Sequence, residues 1–359
     1  MDRVLRSTEC PFTWETPLLP VKDLERYLSV IDDKDSLCMV WNEVMIKTRL
    51  AAAFCLEKRV RSEAVSRRYI VEAYLRIVPA LWGPREDGDL VQDYGLALRH
   101  LVDATWAHIC RDFHGGDPAA MRHLDAFLRR DMVHFDTLCG HFKSALVAIR
   151  ADMAGYPENI SAARQAIEMN PNEGQWHTIL AKVMVNSRQT LKHDGVRWLH
   201  STQEEKTAAE TGHKLARNPE SYLTLARVNE DLGYYSKAVE LLREGIAAYP
   251  HNVYLLWRGA DIVRALPKPH RNRALAVRWY ERALDLEGDC LMLHQRLGSL
   301  HLERNDKAAA ATHMKRFACH MNMSFPSIVG SDLKEDEFYE LISKGVDKFI
   351  KSEVPHYYR

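Results

Sequence analysis

A stretch of twelve residues, VYLLWRGADIVR at 253–264, combines large aromatic side chains with two arginines on neighbouring helical turns. Trp257 and Arg264 are seven residues apart and Tyr254 and Arg258 are four apart, so each pair shares a stripe of an α-helix. Guanidinium groups bind phosphate through paired hydrogen bonds, and aromatic rings stack on bases. The pattern predicts phosphate contacts from Arg258 and Arg264, and ribose or base contacts from Tyr254 and Trp257.

The same helix also has a purely structural explanation. A buried Trp257 and two solvated arginines would give this sequence without any ligand. A second motif favours binding, because LMLHQRLG at 291–298 carries His294 and Gln295, which can hydrogen-bond a phosphate or a base edge.

No pattern in the chain is typical of catalysis or of a metal site. The motifs GxGxxG, GxxxxGK[ST], HExxH and GxSxG are all absent. His134, Cys139 and His141 lie close together in HFDTLCGHF, but no CxxC pair accompanies them, and ordinary helix residues explain them. We therefore expect no enzymatic activity, no cofactor and no metal.

Repeated helix pairs must position these side chains. Residues 221–250 have the spacing of a tetratricopeptide repeat (TPR), with small residues where two helices touch. Small or apolar pairs recur along the chain, at Leu180-Ala181, Leu225-Ala226, Gly259-Ala260 and Leu297-Gly298. Alanines recur in the predicted second helices, at Ala163, Ala238, Ala276 and Ala310. Prolines are expected to end three second helices, at Pro171, Pro219 and Pro250.

The predicted fold class is all-α, a TPR α-solenoid (a superhelix of antiparallel helix pairs) with a divergent helical N-terminal part. We expect residues 1–155 to form that N-terminal part, 156–322 the TPR repeats, and 323–359 a C-terminal capping helix and tail. The segment 185–205 is longer than a repeat turn and predicts an insertion.

Composition limits the partners that the chain can attract. The 49 Lys and Arg residues equal the 49 Asp and Glu residues, so only a local basic pocket could bind nucleic acid. No run of 18 apolar residues and no signal-peptide pattern is present, and the seven cysteines follow no framework spacing. We expect a cytoplasmic protein that binds neither membranes nor DNA.

Three stretches resemble the interferon-induced proteins with tetratricopeptide repeats, the IFIT family. CPFTWE at 10–15 is similar to the CxFTWxL motif of that family, and the run at 155–173 is similar to the one that ends in its xDPENPE motif. VYLLWRGADIVR and LMLHQRLG resemble its TYVxRYAAKFYR and LLHHQIG helices, in the same order. The resemblance covers about residues 10–320 and is that of a short IFIT-like member.

The resemblance implies a function in innate antiviral defence without catalysis. Family members that bind RNA hold the 5′ end of a single strand inside a positively charged tunnel. For this chain it implies 5′-phosphate contacts from Arg26, Lys47, Arg150, Lys182, Arg258, Arg264, His294 and Gln295. It implies ribose or base contacts from Tyr254 and Trp257.

Two departures from the family pattern refine this expectation. Leu146 stands where the family has the tryptophan that stacks on the cap, and leucine cannot stack as an indole does. An uncapped 5′-triphosphate is therefore the expected ligand. Asn186 stands where the family has an arginine, and Lys182 or Arg188 would have to substitute for it.

Two functions remain open from the sequence. One is capture of single-stranded RNA with a 5′-triphosphate in a basic pocket on the concave side of the solenoid. The other is a TPR adaptor that binds other IFIT-like or TPR-binding proteins without RNA. Convergence of the predicted cations on one cavity would favour RNA, and their scatter would favour the adaptor.

Overall fold

The computed structural model describes residues 5, 10–13, 21, 24, 37–82, 90–130, 132, 134–153, 158–193, 201–288 and 290–320. These residues form fourteen α-helices and one 3-10 turn, Phe135–Thr137, with no β-strand among them. The chain forms two compact units. Unit 1 comprises residues 1–187 and 201–225, and unit 2 comprises 188–200 and 226–359.

Unit 1 contains nine of the described helices, two of which extend into unit 2. Their bounds are α1 Leu37–Leu56, α2 Glu63–Trp82, α3 Leu90–His114, α4 Pro118–Arg130, α5 Gly140–Met153, α6 Glu158–Met169, α7 Gly174–His193, α8 Gln203–Leu215 and α9 Pro219–Asp231. The last residues of α7 and of α9 belong to unit 2. Helix α1 packs on α2, α3 packs on both, and α5 packs on α6.

An aromatic cluster and a close helix crossing hold unit 1 together. The ring centroid of Tyr94 lies 5.1 Å from that of Trp176 and 6.1 Å from that of Trp41. Where α7 crosses α8, a Cβ at Gly212 would lie only 2.5 Å from Thr178 Oγ1. Only glycine permits this approach, because a methyl group would overlap the neighbouring helix.

Unit 2 continues with helix pairs. Its helices are α10 Tyr235–Ala248, α11 Val253–Ala265, α12 Arg273–Glu287, α13 Leu291–Glu303 and α14 Lys307–His320. Helix α11 packs on α12, α12 packs on α13, and α13 packs on α14. The side chains of Asn252 and Asn272 accept hydrogen bonds from the backbone N–H groups of Leu255 and Leu275, at 2.7 and 2.9 Å. These N-caps define where α11 and α12 begin.

The small residues predicted at the helix contacts are buried. Ala181, Ala226 and Ala260 lie in first helices, and a Cβ at Gly298 would lie within 3.0 Å of the Met314 side chain. The second-helix alanines are also buried, at Ala163, Ala238, Ala276 and Ala310. The repeat spacing therefore predicted the packing of the helix pairs.

One proline differs from the prediction. Pro171 and Pro250 follow second helices that end at Met169 and Ala248, as expected. Pro219 instead begins α9, four residues after α8 ends at Leu215. A proline is favoured at the first position of a helix, because the N–H that it lacks has no partner there.

Some expectations concern residues outside the described ranges. The predicted capping segment 323–359 lies there, as does the middle of the predicted insertion, whose flanks belong to α7 and α8. The boundaries at 155/156 and 322/323 stay predictions. Within the described ranges, no helix is both long enough and apolar enough to cross a membrane.

Candidate functional site

Helix α11 presents one polar face, and the rest of its surface is buried. Tyr254, Arg258, Asp261 and Arg264 lie on this face, because they follow one another at about one helical turn, and each is partly exposed. Trp257 is only 4% exposed, and Tyr254 meets its ring edge-to-face at 6.2 Å. The guanidinium of Arg258 lies 5.8 Å from the Trp257 ring. Trp257 therefore packs as a core residue and supports the arginine, while Tyr254 stays partly exposed.

Asp261 lies at the centre of a contact between three helices. Arg258 Nη1 from α11 lies 3.3 Å from Asp261 Oδ2, and Arg296 Nε from α13 lies 3.3 Å from Oδ1. Tyr280 of α12 donates a hydrogen bond from its hydroxyl to Oδ1 at 2.6 Å. Burial and the Asp261 carboxylate raise the pKa of Tyr280 well above its usual value, so the hydroxyl keeps its proton.

Glu303, at the end of α13, forms a second junction of the same three helices. Arg264 donates from Nε to Glu303 Oε1 at 3.0 Å, and its Nη2 contacts the same oxygen. Arg264 Nη2 also donates to Ser299 Oγ at 2.8 Å. Arg273 Nε, at the start of α12, lies 3.2 Å from Glu303 Oε2. One carboxylate therefore bridges two arginines from different helices.

We call these four arginines the guanidinium cluster: Arg258, Arg264, Arg273 and Arg296. They face the two carboxylates of Asp261 and Glu303, so the six groups carry a formal excess of two positive charges. The four arginine side chains are 19–37% exposed, which lets a ligand reach them. Such half-buried guanidinium groups suit an anion with several oxygen atoms.

Several donors at the cluster lack a hydrogen bond. Nε of Arg273, Nε of Arg296 and Nε1 of Trp257 are buried, and each has no hydrogen-bond acceptor. The two arginine nitrogens do approach carboxylates as ion pairs. Buried donors without an acceptor are uncommon in folded proteins and call for a physical explanation. The cluster therefore combines excess positive charge with unused donors.

His294 and Gln295 lie on α13 and are both buried. His294 Nδ1 is 3.0 Å from His313 Nδ1, so the two imidazoles share one hydrogen bond. His313 also stacks on His301 at 5.6 Å. Burial and the neighbouring His294 and His301 lower the pKa of His313 to about 4, so it is neutral at physiological pH.

In unit 1, Lys47 lies among acidic residues. Its Nζ is 2.5 Å from Glu43 Oε1 on the same helix and 3.2 Å from Glu72 Oε2 on α2. Nε of Arg76 lies 2.6 Å from the other carboxylate oxygen of Glu43, Oε2. Lys47 is mostly buried by these contacts, which bind α1 to α2.

Lys182 lies between two carboxylates in unit 1. Its Nζ is 2.5 Å from Asp152 Oδ1 of α5 and 2.6 Å from Glu220 Oε1 of α9. Gln175 Nε2 donates to the other Glu220 oxygen at 2.6 Å. Burial opposes the charge on Lys182, but the two carboxylates outweigh it and raise the pKa of the lysine. Burial likewise opposes the charge on Glu220, and the lysine lowers the pKa of that carboxyl.

The remaining predicted positions have different surroundings. Arg150, in the last turn of α5, donates from Nη2 to Gln165 Oε1 of α6 at 3.1 Å. Arg188 is buried against Asp231 at 2.6 Å, and Asn186 is exposed. Arg26 lies outside the described residues. Leu146 is fully buried and offers no surface to a base.

The structure brings Arg258 and Arg264 into one cluster on unit 2. His294 and Gln295 lie on α13, which also carries Arg296 of this cluster. The structure places Lys47, Arg150 and Lys182 on unit 1. The sequence missed Arg273 and Arg296. Arg296 directly follows Gln295 in LMLHQRLG, so the motif could have indicated it, whereas Arg273 becomes relevant only when α12 packs beside α11.

The comparisons with known proteins identify the fold. Residues 219–252 match the tetratricopeptide repeat family. No curated protein matches the chain. A human IFIT1 dimer with m7Gppp-AAAA is 14% identical, with 98% of this chain and 82% of that chain covered and a TM-score of 0.60. The chain has an all-α TPR-solenoid fold.

Other solved structures match less well. A human IFIT1 dimer with PPP-AAAA is 16% identical over 98% of this chain and 82% of that chain, with a TM-score of 0.39. Yeast Tom70 is 10% identical over 93% and 90%, with a TM-score of 0.30. The TPR-solenoid fold confirms the predicted fold class. Membership of the IFIT family stays a prediction.

The TPR fold gives the helices of the cluster their place in the repeat. Helices α11 and α13 are the first helices of consecutive pairs, and α12 is the second helix that joins them. The cluster is thus formed by two neighbouring first helices and the first turn of the helix between them. No group of three or more His, Cys, Asp or Glu side chains in the described parts of the chain could hold a metal ion.

Proposed function

We propose that this protein binds single-stranded RNA through a 5′-triphosphate, with the guanidinium cluster of unit 2 contacting the phosphates. The observation that carries the proposal is the cluster itself, in which four arginines exceed two carboxylates and buried donors lack acceptors. We further propose that the protein is cytoplasmic and that RNA capture serves innate antiviral defence, as the resemblance to the IFIT family implies.

Charge supports a phosphate terminus as the ligand. A 5′-triphosphate carries about four negative charges, and the excess of two positive charges at the cluster offsets about half of them. If the protein neutralises three phosphates of a single strand, the logarithm of the association constant should fall by about 2 for each tenfold rise in salt concentration. The neutral chain as a whole adds no general attraction, so non-specific binding should be weak.

An uncapped end fits this chain better than a capped one. The human IFIT1 dimer that shares its fold was solved with m7Gppp-AAAA. In this chain, the position that the resemblance assigns to the cap-stacking tryptophan is Leu146, which is aliphatic and fully buried. Tyr254, which stays partly exposed beside the cluster, is the ring available to a ribose or first base.

Binding of one short RNA with a 5′-triphosphate, a 5′-hydroxyl or a 5′ cap would test the proposal, by fluorescence anisotropy at physiological salt. We expect the triphosphate to bind at least about tenfold more tightly than the other two. Arg296→Gln should weaken it about tenfold, the usual worth of one charge-assisted contact. The matched control is Arg282→Gln, which removes an exposed arginine from the opposite face of α12. Equal binding of the three RNAs would refute the proposal.

The cations of unit 1 need a separate test. Arg150→Glu probes whether that residue also contacts the RNA, as the resemblance implies. A loss of triphosphate preference in this variant would place Arg150 at the ligand. Unchanged binding would restrict the phosphate site to unit 2.

An adaptor function is the second candidate, and one observation favours it. Lys47 and Lys182 are each held by two carboxylates, so these two cations already serve the packing of unit 1. A TPR adaptor for other IFIT-like or TPR-binding proteins needs no set of converging cations. Chemical crosslinking of the purified protein to candidate TPR partners would test it, and an unchanged crosslink in Arg296→Gln would separate it from RNA binding.

A further inference from the structure

We infer that Asp261 and Glu303 set the affinity of the guanidinium cluster for phosphate, because a phosphate ligand must displace them from its arginines. The inference rests on the proposed function and deepens it. It concerns the carboxylates at the cluster, neither of which the sequence patterns had indicated.

Each carboxylate occupies the place that a phosphate would take. Asp261 bridges Arg258 and Arg296, and Glu303 bridges Arg264 and Arg273, all through contacts of 3.3 Å or less. A guanidinium fork matches a carboxylate and a phosphate with the same geometry. Each carboxylate is therefore a built-in competitor for the ligand.

The carboxylates do not saturate the arginines. Arg273 Nε and Arg296 Nε are buried without a hydrogen-bond acceptor, although each lies within 3.3 Å of a carboxylate oxygen. A phosphate has more acceptor oxygens and more charge than a carboxylate, so it can satisfy donors that Asp261 and Glu303 leave unused. Exchange of carboxylate for phosphate is favourable for the arginines and unfavourable for the displaced carboxylates.

Tyr280 shows how the exchange can proceed at Asp261. Its hydroxyl donates to Asp261 Oδ1 at 2.6 Å. When the carboxylate turns away, the same O–H can donate to a phosphate oxygen in its place. Ser299, which accepts from Arg264 at 2.8 Å, keeps that arginine in position when Glu303 leaves.

At Lys182 in unit 1, the negative groups outnumber the positive ones, which is the opposite of the charge balance at the guanidinium cluster. There a single ammonium group faces two carboxylates, Asp152 and Glu220. An anion that displaced either carboxylate would meet the other at close range. Exchange is therefore expected at the guanidinium cluster and not at Lys182.

The experiment compares Asp261→Asn and Glu303→Gln with the wild type. Both changes keep the shape of the side chain and remove its charge, and the amide oxygen that Asp261→Asn introduces can still accept a hydrogen bond from the Tyr280 hydroxyl. The probes are inorganic tripolyphosphate and the 5′-triphosphate RNA, measured by isothermal titration calorimetry at constant salt. Asp285→Asn is the matched control, because Asp285 is exposed on the opposite face of α12. Thermal unfolding without ligand is followed in parallel.

We expect each neutral variant to bind tripolyphosphate about tenfold more tightly than the wild type, since one repelling charge is removed close to the ligand. The melting temperature without ligand should fall, because the arginines lose their counter-charge. A purely structural role would lower affinity and melting temperature together. That outcome, or unchanged affinity in both variants, would overturn the inference.

The two probes separate this inference from the proposed function. Tighter tripolyphosphate binding by the variants would support the inference even if the RNA showed no preference for a 5′-triphosphate. Those two results together would refute the proposed RNA capture and would leave the inference about Asp261 and Glu303 supported. Absence of tripolyphosphate binding by the wild type and by both variants would refute the inference.

Discussion

Replacing Lys182 with methionine should destabilise unit 1 strongly at neutral pH. The lysine contacts Asp152 and Glu220 at 2.5 and 2.6 Å, and the three side chains are only 24%, 12% and 13% exposed. Methionine fills the space but leaves two carboxylates close together without a cation. Removing one partner of a buried ion pair costs about 3–5 kcal/mol. For a unit of about 200 residues, that loss lowers the melting temperature by about 10 °C.

The pH dependence of this loss has a defined sign. In the wild type the pKa of Glu220 is lowered, so its contribution is present above the carboxyl pKa of the unfolded chain and is lost as pH falls through the folded value. Without Lys182, the burial that opposes the charge on Glu220 is no longer offset, so the pKa of this carboxyl rises. The variant should therefore recover part of its stability relative to the wild type as the pH falls from neutral into the acid range.

The assay is thermal unfolding by circular dichroism at pH 7.5 and pH 5, with Lys214→Met as control. Lys214 is exposed on α8 in the same unit, so its replacement should have little effect. A Lys182→Met variant within about 1 kcal/mol of the wild type at pH 7.5 would refute the reasoning. If that stable variant also lost RNA binding, Lys182 would be a ligand contact, as the sequence had indicated.

Two further changes test the packing of each unit. Gly212→Ala should cost about 1–3 kcal/mol in thermal unfolding, because its Cβ would lie 2.5 Å from Thr178 Oγ1 and 2.8 Å from Thr178 N. Gly116→Ala, where nothing lies within 4 Å, is the control and should be nearly neutral. His313→Gln should flatten the stability profile at acid pH. The pKa of His313 is lowered to about 4, so the unfolded chain takes up its proton first and the wild type loses stability as pH falls below about 6.5. An equally steep loss in the variant would contradict this assignment.

The sequence predicted the parts of the fold that depend on local spacing. Small residues recur where helices meet, so the burial of Ala226, Ala260 and Ala276 could be read from the repeat alone. The stripe that joins Trp257 to Arg264 also follows from helical periodicity. The position of Pro219 did not follow, because a proline after one helix is also a favourable first residue of the next.

The partners of the charged residues could not be predicted from spacing. Lys182 meets Asp152 and Glu220, which are 30 and 38 residues away in the sequence. From the sequence alone, a lysine that is paired with carboxylates in the fold cannot be distinguished from a lysine that binds a ligand. Arg273 likewise gains its importance only because α12 places it opposite Glu303. Such contacts depend on how the helices pack, and no local pattern encodes them.

Local charge balance decides which predicted cations can serve a polyanion in a protein with no net charge. A cation outnumbered by carboxylates, as Lys182 is, stabilises the fold, and an incoming phosphate would be repelled by the groups around it. The four arginines of the guanidinium cluster outnumber the carboxylates of Asp261 and Glu303. They therefore still attract an anion while they are paired. If the protein captures a 5′-triphosphate, the phosphates should therefore be held first by α11 and α13. Variants of these two helices are then expected to change affinity, and variants at Lys47 or Lys182 to change stability.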